Sequence, residues 1–160
     1  MLLAVLLGET GAMSRVLASG AFEIIHPGHL KFLEEARKLG GEDARLIVVV
    51  ARDETIRRRK GREPLMNEEA RRYVVSMLKP VDEAILGHVP FSFEKVVEEV
   101  KPDVVVFGED QDDLMAEFSR LIAIKGLMVK VVKVERFSSP TPSSTSEIID
   151  RALKIFKQGV

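Results

Sequence analysis

Short apolar runs alternate with amphipathic stretches along most of this chain. The run at 46–51, LIVVVA, is apolar throughout, which is typical of a strand covered on both faces of a sheet. The stretch at 28–39 instead places Leu30, Leu33, Ala36 and Leu39 at helical spacing and ends at a pair of glycines. The same reasoning predicts strands at 15–19, 46–51, 83–87, 104–107 and 128–134, and helices at 28–39, 67–78, 91–100, 112–125 and 144–156.

This alternation predicts an α/β fold, in which a five-stranded parallel sheet carries helices on both faces. Ligands of such sheets bind beyond the carboxyl ends of the strands. The length of 160 residues predicts one domain, which we place at 15–160. We interpret residues 1–14 as an N-terminal extension or an extra strand. The apolar run at 2–7 is too short to cross a bilayer, and no basic residue precedes it as in a secretory signal.

Composition narrows the classes of function. The 24 basic and 25 acidic residues give a net charge of −1, which does not favour general binding of nucleic acid or of an anionic membrane. The absence of cysteine excludes disulfides, thiol nucleophiles and iron–sulfur clusters, and it indicates a cytoplasmic protein. With three histidines, a multi-histidine metal site is difficult to build.

Two of those histidines lie in the loop that follows the first predicted strand. The loop reads GAFEIIHPGH from Gly20 to His29 and enters a helix N-terminus, where free N–H groups and the helix dipole favour a phosphate. Gly28 permits close approach of a ligand to the backbone, and His26 and His29 can both donate to one anion. The alternative is a proline turn with two incidental histidines. A Rossmann glycine triplet and a Walker lysine are both absent from this loop.

The loop and four later strings resemble the HxGH nucleotidylyltransferases. The strings are HPGH at 26–29, ARDETIRRRKGREP at 51–64, LKPVDEAILG at 78–87, KPDVVVFGEDQ at 101–111 and SSTSEII at 143–149. The resemblance is closest to the archaeal FAD synthases (FMN adenylyltransferases), in the same branch as the glycerol-phosphate cytidylyltransferases. It implies a Rossmann-like single domain that transfers AMP from ATP to the phosphate of FMN, giving FAD and pyrophosphate. Cytidylyl transfer from CTP to glycerol phosphate or a related polyol phosphate, and a non-catalytic nucleotide-binding module, remain alternatives.

The resemblance also implies roles for particular residues. Catalysis is expected of His26, His29 and Lys60, and binding of the substrate phosphate is expected of Lys60 and Arg62. Nucleotide binding is expected of Gly20, Ala21, Phe22, His26, Pro27, Gly28, His29, Asp110, Ser144, Thr145 and Ser146. Ala21 and Glu23 depart from the usual Thr and Asp of the family signature, and Ser139 stands where the glycerol-phosphate cytidylyltransferases carry an arginine.

Each of these assignments has a plainer structural alternative. The cations at 57–62 are also what a solvated helix end would show, Asp110 is also suited to an Asx turn, and the capping-box pattern from Ser144 to Glu147 would by itself explain the serines. We interpret the phenylalanines as packing residues and place no flavin slot.

The implied reaction has simple chemical needs. A phosphomonoester is already ionised near neutral pH, so no general base is required, and the protein must supply alignment and charge stabilisation. We expect no metal site in the protein, because Mg²⁺ keeps several waters and would travel on the nucleotide. The expected partners are ATP and FMN, and, as is common among similar proteins, a second copy of the chain in a homodimer.

Overall fold

The computed structural model describes residues 13–138 and 140–158. Its strands are β1 (Arg15–Gly20), β2 (Arg45–Val50), β3 (Glu83–Leu86), β4 (Val104–Gly108) and β5 (Lys130–Val134). They form one sheet in the order β3-β2-β1-β4-β5, and every pair of neighbours is parallel. The predicted five-stranded parallel sheet of a Rossmann-like fold is thereby confirmed.

Six helices connect and follow these strands in the part of the chain that the structure describes. They are α1 (Pro27–Leu39), α2 (Asp53–Lys60), α3 (Glu68–Ser76), α4 (Phe93–Val100), α5 (Asp112–Lys125) and α6 (Thr145–Gln158). The sequence did not predict α2 as a separate helix, because Ile56 is its one buried residue and leaves no apolar stripe to detect. Helix α4 begins two residues later than predicted, since the side chain of Ser92 caps it by accepting from the Lys95 N–H.

The sheet separates two apolar clusters that hold the helices on opposite faces. On one face, Val16 and Ala18 of β1 pack with Leu33 of α1 and Val75 of α3. On the other face, Leu17 packs with side chains of α4 and α5 that include Val96 and Phe118. The alternation along β1 follows from the two-residue period of a strand. Helices on both faces, as predicted, leave the carboxyl-end rim of the sheet as the place for a ligand.

The strand order creates a topological switch between β1 and β4. The chain runs outward from β1 to β3 on one side and then crosses back to continue at β4 on the other. The connections that leave β1 and β4 therefore diverge and open a crevice, which is where ligands bind in such sheets.

Residues 1–12, Ser139, Gly159 and Val160 lie outside the described residues, so the extension at 1–14 and the domain bounds at 15 and 160 stay predictions. Among residues 13–138 and 140–158, no helix combines the length and apolar character needed to span a bilayer.

Candidate functional site

A cavity of about 430 Å³ lies at the carboxyl ends of the strands, over the switch between β1 and β4. Eleven of the residues predicted for the site line it, namely Gly20, Ala21, Phe22, His26, Gly28, His29, Lys60, Asp110, Ser144, Thr145 and Ser146. Pro27 and Arg62 are not part of the lining; Pro27 occupies the first turn of α1, where its missing N–H costs nothing. The structure thus brings together loops that are far apart in the sequence.

The two histidines of the signature stack on each other at the N-terminus of α1. Their ring centroids are 3.8 Å apart, and the planes meet at 27°. His26 is also the N-cap of α1, because its Nδ1 accepts a hydrogen bond from the His29 N–H at 3.4 Å. Neutral His26 must then carry its proton on Nε2, which leaves that nitrogen as a donor.

Burial lowers the pKa of both imidazoles. The pKa of His29 falls to about 4, first through burial and then through repulsion from His26. The pKa of His26 falls below 6.5 through burial and the nearby guanidinium of Arg136. Both rings are therefore neutral near pH 7 in the free protein. An anion bound beside both rings would favour protonation and raise both pKa values.

Two glycines are required by close packing around this pair. A Cβ on Gly28 would lie 2.8 Å from the carbonyl oxygen of Ser143, so glycine lets the N-terminal ends of α1 and α6 meet. A Cβ on Gly20 would lie 2.8 Å from the ring of Phe22. Phe22 has a positive φ of 50°, a strained backbone conformation, and its buried ring packs 5.0 Å from the ring of His29.

The N-terminus of α6 forms a second end of the cavity that favours anions. Ser144 caps the helix, because its Oγ accepts from the Glu147 N–H at 3.2 Å. The capping-box prediction is half correct: the Glu147 carboxylate reaches the N–H of Ser143, at 2.9 Å, and not that of Ser144. Glu147 also pairs with Arg136, and Arg136 donates to Ser143 Oγ at 3.3 Å. Arg136 therefore anchors the segment that carries the predicted serines.

Glu23 anchors the cations of the second loop. Its buried carboxylate accepts from Lys60 Nζ at 2.6 Å, from both terminal nitrogens of Arg62 at 2.8 Å, and from the Leu65 N–H at 3.2 Å. Burial alone would raise the pKa of Glu23, but the hydrogen bonds from Arg62, Lys60 and Leu65 bring it down to about 2. Lys60 and Arg62 are thus ion-paired in the free protein. Lys60 also lines the cavity, whereas Arg62 lies outside the lining and pairs with Glu23.

A second buried charge, the guanidinium of Arg71, holds the loop that follows β1. Arg71 of α3 is fully buried and donates to the Ala21 carbonyl at 2.7 Å, to the Met66 carbonyl at 2.9 Å and to Asp53 Oδ1 at 2.7 Å. The guanidinium therefore joins α2 and α3 to the residue before Phe22. Sequence reasoning missed it, because an arginine in an exposed-looking helical stretch carries no signal of burial.

Across the switch, Gln111 ties the rims of β1 and β4 together. Its Oε1 accepts from the Gly108 N–H at 2.8 Å, and its Nε2 donates to the Ser19 carbonyl at 3.1 Å. The neighbouring Asp110, for which nucleotide binding was predicted, lines the cavity. Among the described residues, no group of three or more His, Asp or Glu side chains is arranged to hold a metal ion.

Residues 17–151 match the family model described as cytidylyltransferase-like, which is most of the chain. The chain belongs to the cytidylyltransferase-like family. A relative named FAD synthase from Methanopyrus kandleri is 50% identical over 145 residues, covering 91% of this chain and 95% of the relative. Another protein of that name, from Methanothermobacter thermautotrophicus, is 51% identical over 143 residues, covering 87% and 91%. The resemblance stated from the sequence is confirmed.

Solved structures agree with the fold of this cytidylyltransferase-like protein. A lipopolysaccharide core biosynthesis protein from Thermoplasma volcanium superposes with a TM-score of 0.72 at 43% identity, over 79% of this chain and all of that chain. Pantothenate synthetase from Thermus thermophilus, at 16% identity and a TM-score of 0.54, shares the fold alone.

Some lining residues of this cytidylyltransferase-like site escaped the sequence prediction. Arg52, Thr55, Arg59 and Phe91 line the side of the cavity that is formed after β2 and β3. The half-buried ring of Phe91 packs against the core, in keeping with the interpretation of the phenylalanines, and it also lines the cavity, which the sequence did not predict. The available signal was its position five residues after a strand end, beside a proline.

Proposed function

We propose that this protein transfers AMP from ATP to the phosphate of FMN, giving FAD and pyrophosphate. The observation that carries the proposal is the identity of about half of all residues, over nine-tenths of the chain, with proteins named FAD synthase. The geometry supports it with one cavity that joins a stacked histidine pair to two helix N-termini. These relatives do not favour the cytidylyltransferase or the non-catalytic alternative.

In the proposed reaction, an oxygen of the FMN phosphate attacks the α-phosphorus of ATP. A new phosphorus–oxygen bond forms, and the bond from the α-phosphorus to the bridging oxygen breaks as pyrophosphate leaves. Nε2–H of His26, the imidazole of His29 and the first N–H groups of α1 donate to oxygens on which negative charge develops. The N-terminus of α6 holds the distal phosphates, and Lys60, which Glu23 holds in place, contributes a positive charge to the substrate phosphate. No group on the protein has to remove a proton.

We propose that a divalent cation, Mg²⁺, arrives on the triphosphate. Bound there, it would neutralise phosphate charge and stabilise the leaving pyrophosphate. The described residues fit this arrangement, because the cavity offers cations and N–H donors to the phosphates of a nucleotide that carries the metal.

The test is to incubate the purified protein with ATP, FMN and Mg²⁺ and to separate the flavins by chromatography. FAD is the expected product, and His29→Ala is expected to lower kcat by about 100–1,000-fold, the usual loss for one such donor. His88→Ala is the matched control, since His88 lies outside the cavity and bonds Glu99. Formation of CDP-glycerol from CTP and glycerol phosphate, with no FAD from ATP and FMN, would contradict the proposal.

We further propose that the protein acts as a homodimer in the cytoplasm. The apolar face of α6 supports the dimer, because Leu153, Ile155 and Phe156 are each more than half exposed. Light scattering coupled to size-exclusion chromatography is expected to give twice the chain mass of 17.8 kDa.

A further inference from the structure

The half of the cavity at the carboxyl ends of β2 and β3 has the chemistry of a site for an aromatic ring. Phosphates are suited to the histidine pair, which follows β1, and to the N-terminus of α6, which lies across the switch toward β4 and β5. The other half is lined by Thr55, Arg59, Gly87 and Phe91 and contains no described carboxylate. A smaller adjoining cavity of about 110 Å³ shares Thr55, Arg59 and Phe91 with it. Those three side chains therefore line both cavities.

Phe91 is a rigid platform at this place. Its ring meets the ring of Phe93 edge to face, with centroids 4.7 Å apart and an interplanar angle of 79°. Phe93 is buried in the core beneath the sheet, against Phe107 and Phe118. Phe91 itself is half-buried. The core thus holds the orientation of the ring while leaving part of its surface to the cavity.

Arg59 is the mobile partner of that platform. Its guanidinium carbon lies 5.9 Å from the centroid of the Phe91 ring. Arg57 pairs with Glu63 and Lys60 with Glu23, but Arg59 has no ion-pair partner among the described residues. It is also exposed, so its side chain can move at little energetic cost.

We propose that Phe91 and Arg59 form the slot for the isoalloxazine ring of FMN and make this protein selective for a flavin acceptor. The inference deepens the proposed function and rests on it. A planar ring between two partners needs about 7 Å, two contact distances of about 3.5 Å. The present 5.9 Å separation requires Arg59 to lift by roughly one ångström, after which its guanidinium covers the second face of the flavin. An acceptor without an aromatic ring, such as glycerol phosphate, gains nothing from this slot.

The test compares steady-state kinetics of Phe91→Leu and wild type with FMN varied at saturating ATP and Mg²⁺. Loss of one stacking partner is expected to raise KM for FMN by about 10- to 100-fold, while kcat and KM for ATP change less than about threefold. Phe91→Tyr keeps a ring and is expected to restore KM to within about threefold of wild type. Tyr73→Ala is the matched control, because Tyr73 is an exposed aromatic residue outside the cavity.

Arg59→Gln provides an independent variant, since Arg59 is exposed and its loss leaves the apolar core unchanged. We expect its KM for FMN to rise, and Arg57→Gln, outside the cavity, to behave as wild type. FAD formation by wild type with an unchanged KM for FMN in Phe91→Leu and Arg59→Gln would overturn the slot and leave the proposed function standing. Absence of FAD formation by wild type would overturn the function itself.

Direct binding supplies a second readout. Titration of FMN with wild-type protein is expected to quench flavin fluorescence by stacking, and Phe91→Leu is expected to reduce that quenching. Equal quenching by the two proteins would contradict the slot whatever the kinetics show.

Discussion

Replacing Glu23 with glutamine tests whether this buried carboxylate anchors the loop that carries Lys60. The change keeps the size of the side chain but removes the charge that Lys60 and Arg62 share. It also turns one acceptor oxygen into a donor that faces two cations. We expect the variant to fold with a lower free energy of unfolding at pH 7 and with residues 60–65 no longer held by this carboxylate.

The size of the effect follows from the pKa of Glu23. Its fall from 4.5 to about 2 on folding corresponds to about 3 kcal/mol of stability at neutral pH. The folded-state pKa is the lower one, so this contribution is complete above pH 5 and is lost as the pH falls toward 2. By pH 3, less than half of it should remain. The side chain of Glu23 is fully buried, so screening by solvent is small.

Urea denaturation of wild type and Glu23→Gln at several pH values between 7 and 3 measures this difference. The gap in the free energy of unfolding is expected to be about 3 kcal/mol at pH 7 and to shrink by more than half at pH 3. Glu63→Gln is the matched control, because Glu63 is 74% exposed and its pair with Arg57 should contribute less than about 1 kcal/mol. A gap below about 0.5 kcal/mol at pH 7, or one that does not change with pH, would refute the anchoring role.

Other expectations concern the remaining parts of the site. In the free protein, the imidazole of His29 should stay neutral down to about pH 5 and titrate near pH 4 in an NMR experiment, because burial opposes its charge; a midpoint near 6.5 would contradict this. Gly28→Ala should weaken ATP binding by at least about tenfold in calorimetry, because the added Cβ would push α6 away. Gly87→Ala is the control and should leave ATP binding unchanged, because its added Cβ would make only ordinary van der Waals contacts. Arg71→Met should lower the free energy of unfolding by about 3–5 kcal/mol in urea, and Arg72→Met, a surface residue paired on its own helix, by less than about 1 kcal/mol.

Local signals account for what the sequence predicted correctly. Each strand contains at least two consecutive apolar residues. Helix α1 shows its apolar period, its proline at the first turn and its glycine end within 14 consecutive residues from Pro27 to Gly40. The histidine loop was visible for the same reason, because a strand, a turn and a helix N-terminus follow one another directly.

Contacts between distant parts of the chain account for what escaped prediction. Glu23 meets Lys60 across 37 residues, and Arg71 meets the Ala21 carbonyl across 50. Neither residue differs locally from an exposed charge, so only the packing of α2 and α3 against the first loop reveals that both are buried. Phe91 was not predicted as a cavity residue, because its neighbour Phe93 is a true core residue and two positions of spacing gave no way to separate their roles.

The close approach of α1 and α6 at Gly28 has an electrostatic consequence for the protein without substrate. Two helix N-termini, each carrying about half a positive charge, face one cavity and repel each other. A bound polyanion therefore reduces this repulsion and stabilises the folded state. Inorganic phosphate or sulfate should accordingly raise the melting temperature of the free protein more than chloride does. In storage and in the cell, the anion composition of the medium becomes a determinant of how long the idle enzyme stays folded.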